Sequence, residues 1–526
     1  MQDEALHGHG GGWVRTSTLL NAIGTGIGAY VAILVLLCSL GGMVSNSPFA
    51  TLLLPLLALP SFFLVWHITE AFPGWVCGSK RVFVTMQVAS FLLMLGCSLF
   101  LVPSLGWDWG QLIRSAREYV LEGSVANRTY YARYPNNLTW LSVLITYFKL
   151  IKTLYPPATA QVLTAASVLL ATLLVQATIV VIRLIITRLY GCRFGFNVWL
   201  VCLVYPPFIC YAPFAYTDTP GMLLCALLIL CYVAIKERAK EPESFLCVRT
   251  MLLVACLGML AGVAVKVKVM VFIVVIAMVI DAILNCKKVK DLLCTVAVFA
   301  VFLNLTLALV SVFSQSFIRI TEFESERYEF PPIHWVMMSL EYGGYWQEDV
   351  DYTMSFLTYD ERVKADRELL DQRIKERGAL GTFEFLTVTK AVRTWGESCL
   401  AGDDYVGRKT RHPDSLLIRF LTQEGDLNDY AQPYYWLTHL TLLLGVAFSM
   451  FSGMKNPRDG GIAFARFAFI GIYLFFTIWE CNSRYLFPFV PLLIVCAVDG
   501  WRAFARMLRS WRELKEQRIE GGLVEG

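Results

Sequence analysis

The chain has 526 residues, 56% of them hydrophobic and only 16% charged, with a mean hydropathy of +0.56. Apolar runs of about 20 residues recur along it, each long enough to cross a hydrocarbon core, so a soluble globule is excluded and an all-α polytopic membrane protein is expected. The formal net charge of +4 is too small to argue for nucleic acid, and no such partner is expected.

In chain order, a polar start carrying Arg15 precedes apolar spans at about 25–44, 49–67 and 81–102, with Lys80 and Arg81 between the second and third. A polar, aromatic segment at 103–157 follows. Six spans then fall near 158–187, 196–213, 219–235, 250–265, 269–284 and 291–314, ahead of a long polar segment that runs to about 432. Three more, near 433–452, 462–480 and 485–501, bring the total to about twelve transmembrane helices. The implied organisation is an N-terminal pair of helices at 1–80, a membrane core at 81–314 with its first large loop at 103–157, a loop domain at 315–432, C-terminal helices at 433–501 and a basic tail at 502–526. No cleavable signal peptide is expected, because the first apolar run begins well in and is followed at once by another.

If twelve spans alternate, Lys80/Arg81, Arg188/Arg193, Lys236/Arg238/Lys240/Arg249, Lys287/Lys288/Lys290, Lys455/Arg458 and the tail from Arg502 to Arg518 share one side. The positive-inside rule makes that side cytoplasmic, with both termini on it. Segments 103–157, 214–218, 315–432 and 481–484 then lie together on the outer side. Lys266 and Lys268 break the pattern at an outer turn: either a span is misplaced, or they serve an anionic group. Most of the fifteen cysteines, such as Cys38, Cys97, Cys202, Cys225 and Cys256, lie in or beside apolar runs and act as small hydrophobes. Cys399 and Cys481 alone fall in outer segments and are the candidates to pair.

Candidate chemistry gathers in the outer segments. Asp108 stands just beyond a span between Trp107 and Trp109, where aromatic neighbours can fix a carboxylate and perturb its pKa, as a general base requires. It would equally serve as the N-cap of a helix beginning at Gly110 or Gln111. Asp218, in Tyr216-Thr217-Asp218-Thr219-Pro220-Gly221, is accounted for locally as a cap, since Pro220 suits the first helical turn. Its alternative role is a second carboxylate opposite Asp108 that orients an acceptor or a cation. Arg484 can grip a phosphate with forked hydrogen bonds, or snorkel and pair with Glu480. His334, beside Trp335, is a packed interfacial ring or a phosphate ligand. Residues 358–378 read as a charged surface helix without chemistry. No HExxH, paired CxxC or Walker loop is present. Asn127-Arg-Thr129 and Asn137-Leu-Thr139 fit the short glycosylation sequon.

Taken together, WDWG, YYARYPNN, YTDTPG, PPIHWVMMSLEYGGYW, TWGES and ECNSRYLFPFVPLL resemble, in that order over residues 81–500, the bacterial membrane glycosyltransferases related to the protein O-mannosyltransferases, within the GT-C class. The resemblance implies a GT-C-type fold with interfacial helices in the outer loops, in a bacterial cell membrane. It implies a polyprenyl-phosphate sugar donor and Asp108 as catalytic base. Arg484, Lys266, Lys268 and His334 become candidates to hold the donor phosphate, and Asp218 and Glu397 to orient the acceptor or a cation. Trp109, Tyr134, Asn136, Asn137 and Trp335 are expected to line the substrate cleft. Two extra spans precede the catalytic loop, and Trp109 stands where the O-mannosyltransferases carry a second acid, which puts a protein hydroxyl acceptor in doubt.

The expected reaction is a single inverting displacement in which Asp108 takes the acceptor hydroxyl's proton and basic groups stabilise the departing lipid phosphate. The acceptor is a glycan, lipid or protein; no cofactor is specified by the sequence, and a divalent metal stays open. A flippase or secondary transporter of lipid-linked sugars is the competing reading. Against it stand the absence of an inverted repeat and the gathering of polar residues at one face. A non-catalytic assembly subunit is a third.

Overall fold

The computed structural model describes residues 7–44, 74–239, 246–286, 288–455 and 460–522. Among them every regular element is a helix. Eight helices are long and apolar enough to cross a membrane: Ser17–Met43, Lys80–Leu101, Ala160–Tyr190, Asp218–Arg238, Val248–Val267, Val289–Ser314, Asn428–Lys455 and Ser483–Trp511. Three shorter apolar helices, Cys192–Leu203, Val269–Leu284 and Ala463–Ile478, take the places of further spans. Each corresponds to an expected span. The one expected at 49–67, together with Lys240, Lys287 and Arg458, lies outside the described residues.

Burial sorts the helices into rings. Asp218–Arg238 and Ser483–Trp511 are enclosed on most sides, whereas Lys80–Leu101 and Val289–Ser314 leave large apolar side chains such as Leu93, Val301, Leu309 and Val312 exposed. In water such rows would be costly; against lipid tails they are the expected surface. Val248–Val267 can lie close on Val289–Ser314 because Gly258 and Gly262 present bare backbone there. A Cβ on Gly258 would stand 2.6 Å from the Phe299 carbonyl, and one on Gly262 would stand 2.7 Å from Thr306 Cβ.

The first loop segment is itself helical: Trp107–Glu122, Arg128–Arg133 and Leu138–Leu154. The last is a 17-residue apolar helix hidden in what reads as a loop, and it is anchored by polar tips on an apolar body. Trp140 Nε1 donates to the Ala215 carbonyl (2.9 Å), and Ser142 Oγ donates to that of Ser314 (3.0 Å). The span expected at 196–213 ends early, because the chain breaks after Leu203 and restarts as the short helix Pro206–Tyr211, with Pro206 at its first position.

Residues from about 315 to 427 fold as short helices around one long helix, Tyr359–Glu384, kinked at Gly378 where φ is +69°. This helix is not only a surface element. Arg373 grips Asp349 with two nitrogens at 2.7 and 2.8 Å, and the buried Arg362 donates to the carbonyls of Glu326, Arg327, Phe356 and Leu357. The segment docks on the bundle through Lys390, whose ammonium donates to Ser339 Oγ (3.0 Å) and to the carbonyls of Thr477 (2.9 Å) and Trp479 (2.8 Å). Burial brings that ammonium down to about 8.

At the opposite end, about 30 Å along the 21-residue helix Asp218–Arg238, basic residues close the bundle. Arg188 pairs with Glu237 at 2.6 Å, Lys236 with Asp281 at 2.7 Å, and Arg502 lies 3.9 Å from the centre of the Tyr190 ring.

Candidate active site

Where the first loop, the turn before Asp218 and the start of the last helix meet, the structure assembles a buried cluster of charges and phenols. Asp108 sits in the first turn of Trp107–Glu122, but the cap position belongs to Gly106, so the aspartate is not an N-cap. Its carboxylate is held by two phenols: Tyr130 donates to Oδ1 (2.8 Å) and Tyr216 to Oδ2 (3.3 Å). Asn137 Nδ2 in turn donates to Tyr130 Oη at 2.8 Å, completing a relay of side chains. Burial and the adjacent Asp108 carboxylate hold both phenols protonated, well above the usual tyrosine range, so each remains a donor.

Asp218 is also not capping. Thr217 takes the cap position without a side-chain bond, and Thr219 Oγ1 donates back to the Phe214 carbonyl. The 1%-exposed Asp218 carboxylate faces two cations instead, Lys268 Nζ at 2.5 Å and Arg484 Nε at 3.5 Å. The Lys268 contact is close enough for a charge-assisted hydrogen bond, whereas Arg484 Nε, at the longer distance, is left without a hydrogen-bond partner. The Arg484 guanidinium is caged by the rings of Trp107, Tyr405, Tyr485 and Tyr216, at 5.0, 5.1, 5.2 and 5.4 Å. Arg484 therefore pairs with Asp218 and not with Glu480, whose carboxyl accepts from Tyr485 Oη (3.0 Å) and is raised by burial. Tyr216 ties the parts together: its hydroxyl touches Asp108, and its ring lies beside both Arg484 and Lys268.

The backbone is strained beside the aspartate. Trp107 has φ +36°, a conformation that costs a non-glycine residue about 1–3 kcal/mol. Its indole is wedged among Tyr405, Tyr216 and Phe214 at 4.8, 5.1 and 5.6 Å. Gly110, one turn on, is required by close approach: a Cβ there would lie 2.7 Å from the Leu105 carbonyl carbon.

Asp108, Asp218, Lys268, Arg484 and Asn137 are thus brought together, and other candidates are not. Lys266, in the last turn of Val248–Val267, makes no ion pair among the described residues. His334 is walled in: its ring stacks on Phe330 (4.1 Å), Nδ1 meets Thr353 Oγ1 (2.8 Å), and burial lowers it to about 3, so it is a neutral packed ring with no face toward the cluster. Trp109 is fully buried against Phe214 and belongs to the core, where it cannot line a cleft. Tyr134 packs on Phe330 and Trp335 and joins the first loop to the loop domain, while Asn136 is exposed. Glu397 is exposed, and no side-chain contact joins it to Asp218. Asn137, 2% exposed and bonded to Tyr130, is closed to glycan attachment; Asn127 is open. Tyr130, Tyr216 and Tyr405 are the members that sequence reasoning did not single out. Among the described residues no group of three or more His, Cys, Asp or Glu could hold a metal ion, and two cations already face Asp218.

No curated protein matches the sequence. Two similar solved structures are the archaeal oligosaccharyltransferase AglB from Archaeoglobus fulgidus, in complex with an inhibitory peptide and a dolichol-phosphate, and ArnT from Cupriavidus metallidurans bound to undecaprenyl phosphate. The first is 12% identical, covers 82% of this chain and 52% of that one, and has a TM-score of 0.40; the second is 16% identical, covers 80% and 78%, and has a TM-score of 0.34. The chain spans about half the length of the archaeal enzyme it matches. A family model matches residues 43–503, nearly the whole described bundle, and by that match the chain belongs to the family described as conserved hypothetical integral membrane protein.

Proposed function

We propose that the chain is a GT-C-type inverting glycosyltransferase that moves a sugar from a polyprenyl-phosphate donor to an acceptor hydroxyl at the outer face of the membrane. The observation that carries this reading is the sharing of Tyr216 by a carboxylate, Asp108, and two cations, Arg484 and Lys268. A sugar transfer from a lipid phosphate needs a base on the acceptor side and positive charge on the leaving side, within one substrate's length.

The two phenols each occupy one lone-pair direction of Asp108, and its remaining lone pairs can accept the proton of an attacking hydroxyl. Arg484, caged and unaligned with Asp218, has donors to offer a phosphate oxygen, and Lys268 adds a second charge where the leaving group gains its own. Asp218 balances the charge of both cations in the absence of donor. Segment 103–157 and the loop domain form the two sides of the approach, meeting at Tyr134 and Trp335. The outward orientation is supported by the basic residues that close the far end of the bundle.

The test is transfer by purified protein from a radiolabelled polyprenyl-phosphate sugar. Release of polyprenyl phosphate that depends on an added acceptor supports the transferase. Movement of the intact lipid across liposomes without release would make the chain a transporter and overturn this reading.

A further inference from the structure

Two cysteines from distant parts of the chain face one another beside the site. Cys210 Sγ and Cys399 Sγ are 3.6 Å apart, across a separation of 189 residues, and both residues are 1% exposed. Cys210 lies on Pro206–Tyr211, the short helix that follows the break after Leu203. Cys399 lies in the tight turn between Lys390–Trp395 and Gly402–Gly407, where Leu400 and Ala401 have φ +53° and +60°. The two backbones are already held together by other means. Tyr211 Oη donates to the Leu400 carbonyl at 2.6 Å, and a Cβ on Gly402 would stand 2.8 Å from Cys210 Cβ. Cys481, the partner the sequence offers Cys399, is elsewhere: its backbone N–H donates to the Gly343 carbonyl (2.7 Å), and its sulfur lies against Gly343.

We infer that Cys210 and Cys399 form a disulfide in the mature protein. The sulfurs are in van der Waals contact, and about 1.5 Å of closure, available from side-chain rotation, brings them to bonding distance. The two thiols lose two protons and two electrons as the S–S bond forms. Both go to the disulfide of a thiol–disulfide oxidoreductase in the compartment the site faces, which leaves as a dithiol. This step rests on the outward orientation proposed above, because the cytosol keeps thiols reduced. The bond's place gives it a use. The turn that carries Cys399 continues into Tyr405, whose ring contacts both Trp107 (4.8 Å) and Arg484 (5.1 Å), so the link pins that wall of the site to the bundle.

The test takes full-length protein from native membranes, alkylates it under denaturing conditions without reductant, and maps cysteine peptides by mass spectrometry. A linked peptide pair containing Cys210 and Cys399, lost on reduction and absent from a Cys210→Ser variant, is expected. Both residues recovered alkylated would overturn the inference, and purified protein treated with diamide then says why. If diamide links the pair, the sulfurs do meet and the outward orientation is what fails. If it does not, the pairing itself is wrong, and the transferase reading is untouched.

Discussion

The bundle holds buried charges at both ends, and the two sets are built differently. At the end away from the site, Asp281 Oδ2 accepts from Lys236 and Tyr232, both at 2.7 Å, and Oδ1 accepts from Asn285 Nδ2 at 2.9 Å. Asp499 is treated likewise by Arg466 (2.8 Å), Ser449 (2.8 Å) and Tyr190 (3.1 Å). Every carboxylate oxygen there has an aligned donor, which is what a buried ion pair needs merely to offset its desolvation. Around Asp218 the charges are as deeply buried, yet Arg484 Nε stands 3.5 Å from the carboxylate with no aligned partner. A cluster left in that state is less stable than it could be. In the proposed reaction a phosphate oxygen would supply the acceptor that Arg484 Nε lacks.

The sharpest way to break this comparison is at Asp108. Asp108→Asn is expected to lower acceptor-dependent transfer by about 10²- to 10⁴-fold while donor binding persists, read in parallel from radiolabel transfer and lipid-binding assays. A variant that retained more than a few per cent of its rate would remove the carboxylate from the chemistry.

A paired substitution then separates the two ends. Arg484→Lys loses the forked donors and should reduce kcat/KM about 10- to 100-fold with little change in thermal stability. Asp281→Asn, which removes the carboxylate charge facing Lys236, should do the reverse: stability falls by about 3 kcal/mol in a denaturation series, and kcat/KM of the folded protein is unchanged. If both variants gave the same profile, the distinction between lock and site would be wrong.

Smaller effects sharpen the picture. Tyr130 acts through Asp108 as a positioning residue, so Tyr130→Phe should slow transfer about tenfold and move the acidic limb of the pH–rate profile, which a purely structural role would not do. The smallest effect is on stability. Asp366, buried beside Thr353 and His334, is raised by desolvation from an ordinary value near 3.8 to about 6. Its neutral form is the favoured one in the fold, so its contribution is complete below about pH 4 and lost as pH rises through 6. His334 titrates with the opposite sign over that window, so Asp366 is read as a difference: the gap in melting temperature between the protein and Asp366→Asn should change by about two to three degrees between those limits.

The spans were legible because a run of apolar side chains about 20 residues long has few other uses. Their ends were less so. Residues 138–154 are apolar enough to form a long helix, but the polar residues before them mark a loop, and only Pro206 hints that the helix from Cys192 stops before Cys210. The site was half legible. Asp108 and Arg484 stand in motifs whose order along the chain resembles a known class. Asp218 has a local sequence that a cap explains fully, with an orienting carboxylate as the alternative, and nothing near it announces Lys268, which belongs to another helix end. The exception that Lys266 and Lys268 made to the charge pattern was the available signal, and of the two only Lys268 turned out to face an acid. Histidine 334 and tryptophan 109 show the converse: residue types suited to chemistry, spent on packing, which periodicity cannot distinguish. Tyr130 and Tyr216 stand in motifs that assign them no role, since a phenol's partner is a matter of tertiary contact.

The unusual backbone of Trp107 also bears on how the protein is made. The bend is kept by rings at 214, 216 and 405, the last of them nearly three hundred residues downstream. A nascent chain that has inserted its first several helices therefore carries the aspartate without the means to aim it. The indole is clamped only when the turn that carries Tyr405 has been made, well after the first loop.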